Sequence, residues 1–569
     1  MEKQIHNYLL CFGLACLLGA AHISVSFAAV DLPNAADINR MQSPSITSQP
    51  QITTKPIAIP EANTIFKASQ PPENADAIHL LLNKINVQGV DVYQKEKIES
   101  IYAPYLNKNI TLSQVWEIAD KITSQYRKDG YFLSRAYIPA QEIDQGVVNI
   151  NVTEGYIIDV VIEQSLFKHP AVEKIVKRIK KQRPADIKDI ESLLLHLTDV
   201  PGLENYHSVL TPYKNIDGAV QLILEEQKQG KESKGYVSIN NYGSRYLGPH
   251  QIVAHYSDEL IPFQRTELDI TTSIPTKEVG SLNIAQTIPV TPALSLQATM
   301  GYTTATPGYT LRPQDIESEA INAGLAINYK IIRQRLENLT VGVALDGRNS
   351  KSTILGSDLS DDKIRVLRVT SSFDKVDMLG GYSLGAVSVS RGLSFLGASD
   401  EGDLNSSRAG AYPDFTKLNV DLSRLQSLSD HWNALLSVSG QLSSGSMYSS
   451  EEFGYGGQNF GRAYSPSEIS GDDGIAASAE IRYTNIPEWK NITVSPYGFY
   501  DFGKVWNDNA SQDRTVSASS AGVGVRLHHQ SGIDGNFQFA VPLTRSVDVP
   551  LYGASDDGPQ MTFQVTKHF

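Results

Sequence analysis

Cysteine is almost missing from this chain: of 569 residues only Cys11 and Cys16 carry a thiol, and both fall in the first apolar run. Downstream of residue 28 no disulfide framework is possible, so the fold must be held by a packed core or a closed hydrogen-bond network. Long apolar runs are also scarce. Past the N-terminus there is no stretch of about 18 apolar residues such as a spanning helix requires, hydrophobic residues make up 41 % of the chain and mean hydropathy is -0.23. That excludes a helical membrane protein. Positive charge is in deficit, with 49 Lys and Arg against 62 Asp and Glu for a formal net charge of -13, which argues against a nucleic-acid partner. No His, Cys or carboxylate cluster has metal-ligand spacing, so neither a metal nor a cofactor is expected.

What is present begins with an export signal. Lys3 and His6 precede the run YLLCFGLACLLGAA, and Ser26-Phe27-Ala28 has the small-x-small pattern of a cleavage site, so residues 1–28 read as a signal peptide. A lipoprotein attachment at Cys16 fits less well, because the apolar run continues beyond it. Residues 29–75 are rich in Pro, Ser, Thr and Gln and read as a linker, with one short helix around Ala35 to Met41.

Residues 76–154 and 155–231 have a common plan, β-α-α-β-β. In the first unit HLLLNKINVQG reads as a strand, and the following helix carries Ile98, Ile101, Tyr102 and Tyr105 on one face. Thr111 and Gln114 form a capping box for a second helix with the stripe Val115, Ala119, Ile122 and Tyr126. Two strands follow, SRAYIPAQEI and GVVNINVTEG. The second unit repeats this order through YIIDVVIEQ, AVEKIVKRIKKQR, IKDIESLLLHL, NYHSVLTPY and GAVQLILEEQ. Its basic helix, with Lys174, Lys177, Arg178, Lys180, Lys181 and Arg183, could face an acidic partner, but a solvated face with Ile175, Val176 and Ile179 turned inward explains the pattern more simply.

From 232 to 569 helical stripes vanish and period-two segments take over, for example Leu294, Leu296, Ala298, Met300 and Tyr302 against Ser295, Gln297, Thr299 and Gly301. One apolar and one small or polar face suits a sheet with lipid outside and water inside, although alternation alone fits a soluble sandwich too. The extent of the region, the export signal and the final segment MTFQVTKHF, with Phe563, Val565 and Phe569 in alternation, favour a transmembrane β-barrel. At about 21 residues per strand and turn the region holds roughly 16 antiparallel strands around an aqueous lumen.

These segments resemble a known family. GYFLSRAYIPAQEIDQGVVNINVTEGYI, with Pro139, Gln141, Glu154 and Gly155, is similar to the first POTRA domain of two-partner secretion transporters, the haemolysin and filamentous-haemagglutinin secretion/activation proteins of the POTRA-barrel superfamily. LTDVPGLENYHSVLTPYKNIDGAVQLILEE resembles the second POTRA domain, and YVSINNYGSRYLGP the first barrel strand, with Asn241, Gly243 and Gly248 in place. The terminal strand resembles the sorting signal of outer-membrane barrels. FGYGGQNFGRAYSPSEISGDDG resembles the family's motif loop, with Gly461, Arg462 and Tyr464, and FYDFG its Phe-x-Asp-x-Gly wall strand, with Phe499, Asp501 and Gly503. Two features depart from the pattern: Ala463 stands where Gly is usual, so the backbone there must avoid positive φ, and the Pro-rich linker lacks the pattern of the family's plug helix.

The resemblance implies two α+β POTRA domains in the periplasm, a monomeric barrel surrounded by outer-membrane lipid and inserted by the barrel-assembly machinery, and export without ATP of a secreted exoprotein of the adhesin or cytolysin class. It implies no enzyme activity. It also implies that Arg462 reaches into the lumen and pairs with Asp501, where a forked guanidinium–carboxylate contact fixes orientation; the bland alternative leaves both solvated in a loop and a turn. An outer-membrane protein insertion factor is a rival, disfavoured by two POTRA copies, and a passive porin needs no upstream modules. Gly381-Tyr382-Ser383-Leu384-Gly385 matches G-x-S-x-G, but it lies in strand texture without the helix that a nucleophile elbow requires. The Gly-rich runs at 453–461 and 522–524 likewise lack the strand-to-helix setting of a phosphate cradle.

Overall fold

The computed structural model describes residues 32–41, 70–162, 170–226 except 205 and 215, 234–508 except 485, 487 and 489, 513–551 and 556–569. The expected signal peptide and most of the expected linker lie outside the described residues.

In the first module the expected opening strand is two strands. His79–Leu82 pairs antiparallel with Lys108–Thr111, whereas Lys84–Gln88 runs parallel to Val147–Thr153 in another sheet. Asn83 makes the break: its backbone and side-chain N–H groups donate to the carbonyls of Gly146 and Gln145, at 2.9 and 2.8 Å, which pins the chain between the sheets. Helices α1 (Lys95–Tyr102) and α2 (Leu112–Lys128) follow, and the Thr111 to Gln114 capping box is formed in both directions. The stripe Val115, Ala119, Ile122 and Tyr126 is buried against Val148, Ile150 and Val152, because residues spaced by three and four share one helix face while alternate strand residues share one sheet face.

The strand expected over 134–143 ends early, at Arg135–Tyr137. Pro139 has no N–H for a ladder, and the Gln141 amide takes over the pairing: Nε2 donates to the Asn149 carbonyl and Oε1 accepts from the Asn149 N–H, both at 2.7 Å. Glu154 bolts the module together, since its Oε1 accepts from the N–H groups of Asp91 and Val92 and from the Tyr126 hydroxyl. Next to it, the Gly155 carbonyl accepts from Ala185 of the second module.

The second module keeps the sequence-derived order: strand Tyr156–Val161, α3 (Pro170–Lys181), α4 (Ile187–Thr198) and strands Tyr206–Pro212 and Ala219–Glu226. On α3, Ile175, Val176 and Ile179 are buried and the cations are exposed. Lys177 pairs with Glu173, Lys180 with Asp159, and Arg183 covers the Tyr156 ring. Past α4 the module docks on the near end of the barrel. Asp199 accepts from Lys330 at 2.6 Å and from both sides of the Arg333 fork at 2.7 and 2.8 Å, and Arg265 pairs with Glu204 at 2.7 Å.

Sixteen antiparallel strands then close into a barrel, the last, Gln560–His568, hydrogen-bonding to the first, Gly235–Asn240. Phe569 completes the seam with main-chain bonds to Lys234 and Gly235. Closure leaves no unpaired edge, which the bilayer interior demands. Leu296, Met300, Tyr302, Leu436, Val438, Phe537, Phe539 and Val565 face outward and are exposed to the surroundings, as the alternation predicts. Among the described residues no helix is long and apolar enough to cross a membrane.

Two segments pack against the inner wall of the barrel. One is the long connection between strands Trp432–Ser443 and Asp473–Tyr483, which folds back inside. The other is residues 32–41, a strap of two short 3-10 turns, Asn34–Ala36 and Ile38–Arg40, at the place where one short helix is expected. Ile38 is buried against Leu247, Val279, Ala305 and Ala320, and Ala36 against Tyr246, Leu311 and Ile316.

Candidate functional site: an ionic latch in the lumen

The re-entrant loop turns at Gly461, whose φ of +73° favours glycine and whose added Cβ would fall 2.7 Å from the Tyr455 ring. Ala463 is not among the residues with positive φ, so its side chain costs nothing there. The turn aims Arg462 at the wall. Its Nε and Nη2 donate to the two Asp501 oxygens at 3.0 and 2.9 Å, and its backbone N–H adds a third bond to Asp501 at 3.0 Å. The expected pair is therefore formed, and as a fork.

Two further guanidinium donors are also used. Nη1 donates to Glu480 at 2.6 Å and Nη2 to Ser478 at 3.0 Å, while the flat face lies 3.5 Å from the centre of the Phe499 ring. Strand pairing supports this geometry, because Ser478 stands opposite Asp501 and Glu480 opposite Phe499, which brings all four side chains to one inner patch. Glu480 is held in turn by Arg482 and Arg526. Arg462, Asp501 and Glu480 retain 6, 0 and 3 % side-chain exposure, so each ion depends on its partners for solvation.

The other motif residues surround this patch. The Tyr464 hydroxyl shares its one proton between the carbonyls of Ser519 and Arg545, at 3.0 and 2.9 Å. Gly503 makes room for the loop: an added Cβ would lie 2.1 Å from the Tyr455 ring. By contrast Pro139, Gln141, Glu154 and Gly155 sit in the modules, far along the chain from the latch, and Phe563, Val565 and Phe569 lie on the closing strand. Ser383 of the G-x-S-x-G match lies in strand Gly381–Gly392, where its hydroxyl accepts from Arg424.

Sequence reasoning missed Glu480 and a second buried charge group at the loop root. There Arg408 contacts Asp472 and Glu452, Arg40 of the strap contacts Glu452, and Lys417 and Arg368 hold Glu451. The available signal was a charged residue at an inward parity among small ones, as in ASAEI, and the adjacent acids Glu451 and Glu452.

Comparisons with known proteins agree with this architecture. The family described as haemolysin secretion/activation protein ShlB/FhaC/HecB matches residues 218–527, and the POTRA domain of ShlB type matches residues 80–155. The heme/hemopexin transporter protein HuxB of Haemophilus influenzae (strain 86-028NP) is 23 % identical over 92 % of this chain and 94 % of its own length. The outer membrane transporter CdiB of Dickeya dadantii (strain 3937) is 21 % identical over 83 % of this chain and 84 % of its own. The solved structure of CdiB from Escherichia coli superposes with a TM-score of 0.68 at 18 % identity, covering 90 % of this chain and 94 % of that one. The chain belongs to the haemolysin secretion/activation protein family, two-partner secretion transporters of the outer membrane whose POTRA modules lie on the periplasmic side.

Proposed function

We propose that the protein exports a partner polypeptide across the outer membrane, taking it from the periplasm through the two modules and passing it through the lumen without ATP. The observation that carries this reading is the latch. A pore wide enough for an unfolded chain is blocked from within by a loop held through ions, and ionic contacts can exchange for water when the loop shifts. A passive porin has no use for such a stopper or for two upstream modules, the second of them docked at its near mouth.

In the second module, strands Tyr156–Val161 and Tyr206–Pro212 form the two sheet edges, which supports capture of an extended client by strand addition. Because main-chain pairing tolerates any sequence, client choice rests on side chains beside those edges. The partner is a secreted exoprotein of the adhesin or cytolysin class, and its folding outside the cell prevents return. In this reading the protein is a conduit and performs no catalysis. The test is secretion of a co-expressed exoprotein by the full chain and by a chain lacking residues 76–231. Export should vanish in the deletion while ion conductance in a planar bilayer persists; undiminished export would remove the reading.

A further inference from the structure

The strap and the re-entrant loop share one buried carboxylate. Arg40 of the strap reaches Glu452 at the loop root through Nε at 2.8 Å and Nη2 at 2.5 Å, both to Oε2. On the other side Arg408, from the loop between strands Gly381–Gly392 and Thr416–Ser427, places Nε 3.2 Å from Oε1. Arg408 also bonds Asp472 through Nη1 at 2.5 Å, and Asp472 closes the root by accepting from the Met447 N–H at 2.6 Å and the Asp508 N–H at 2.8 Å. The side chains of Arg408, Glu452 and Asp472 are at most 1 % exposed and that of Arg40 is 7 % exposed. With the strap in place the group holds two cations and two anions.

We propose that Arg40 is the counter-ion that completes the loop root, so that departure of the strap releases the loop through charge imbalance. This deepens the export reading, in which both lumen fillers must move, and rests on it only for its purpose. Without Arg40, Glu452 and Asp472 face Arg408 alone, and a buried charge without a partner is strongly unfavourable until water reaches it. The root must then open and hydrate. Coupling is reciprocal: an ordered loop root, with Ser467 donating to the Arg40 carbonyl at 2.9 Å, holds the strap in place. The neighbouring set Glu451, Lys417, Arg368 and Asp346 pairs among itself without a strap side chain, and Arg348 beside it donates to Asn39 of the strap at 3.0 Å.

The test is amide hydrogen exchange over residues 447–456 of the full chain in detergent, for Arg40→Met, Glu452→Gln and the double variant. Each single substitution unbalances the group, in opposite senses, and should speed exchange about tenfold; the double restores neutrality and should lie within about threefold of the original chain. Arg40→Lys, which keeps the charge, should also stay near the original. An additive double variant, looser than either single, would overturn the proposal. Should a single variant fail to insert, the same sign can be read from a chain lacking residues 32–41. There Glu452→Gln should slow exchange at the root, whereas it speeds it in the full chain; the same direction in both backgrounds would also overturn the proposal. None of these measurements requires export, so failure of the export reading would leave this result standing, and the reverse.

Discussion

Arg462 uses every face of its guanidinium: two donors on Asp501, one on Glu480, one shared with Ser478, and the ring of Phe499 beneath. Replacing it by alanine strands Asp501 and part of Glu480 in a site with almost no water. Breaking a buried pair on one side costs about 3–5 kcal/mol, enough to undock the loop. The barrel closes through main-chain bonds elsewhere, so Arg462→Ala should still give a folded, membrane-inserted protein in a heat-modifiability gel, with altered conductance and impaired export. Arg462→Lys keeps the charge but not the fork and should fall between. The pair was legible in the sequence because a lone arginine in a glycine-rich loop, set beside a Phe-x-Asp-x-Gly strand, matches a family pattern. Glu480 and the loop-root ions were not, since an inward charge in a strand is visible only once the neighbouring strands fix the register. Gln141 shows the same limit from another side. Its spacing from Pro139 was recognised, yet only geometry reveals a side chain doing the work of a strand.

At the level of elements, helices with a complete stripe and a cap were the most readable, and the described bounds of α2 follow its Thr111 cap. The N-terminal strap was the least readable, because two 3-10 turns of three residues each carry no period to detect; only the neighbouring walls identify what Ala36 and Ile38 are for. The joint between α4 and the barrel makes a testable pH statement. His196 lies at that joint, 4.0 Å from Asp199 and close to Lys330 and Arg333. Burial pushes its imidazole below the ordinary value, Asp199 opposes this in part, and Lys330 and Arg333 push it further down. The docked state therefore favours the neutral ring. Docking is fully supported above the undocked pKa of about 6.5 and weakens as pH falls through it, since the proton binds first to the undocked form. Asp199 works lower on the scale: burial raises its carboxyl, but bonds and charge from Arg333 and Lys330 outweigh burial and hold it below the usual carboxylate range, so its contribution persists until pH drops well below about 4. Exchange protection of α4, corrected for intrinsic rates, should thus decline between pH 7 and about 5.5, by up to about tenfold per pH unit. In His196→Gln that decline should disappear.

For the whole molecule the division of labour is that a rigid wall carries two removable fillers. The wall is rigid because each strand is bonded on both sides around the full circle, and none of those bonds involves residues 32–41 or the tip of the re-entrant loop. The fillers are held by side-chain ions and by modest apolar patches, Ile38 and Ala36 for the strap and Tyr455 and Tyr464 for the loop. The strap is tied to the loop root through Glu452, whereas the Arg462 latch at the loop tip uses no strap residue, so conductance should rise in two steps. Removing residues 32–41 should open the lumen partly and leave the Arg462 latch to restrain the loop tip, giving larger but still fluctuating currents in a planar bilayer. Adding Arg462→Ala to that deletion should produce a steady conductance several times higher, in the range of open barrels of this strand number. If the two changes together conducted no more than either alone, the lumen would be sealed by something other than these fillers, and the route assigned to the exported chain would have to lie elsewhere.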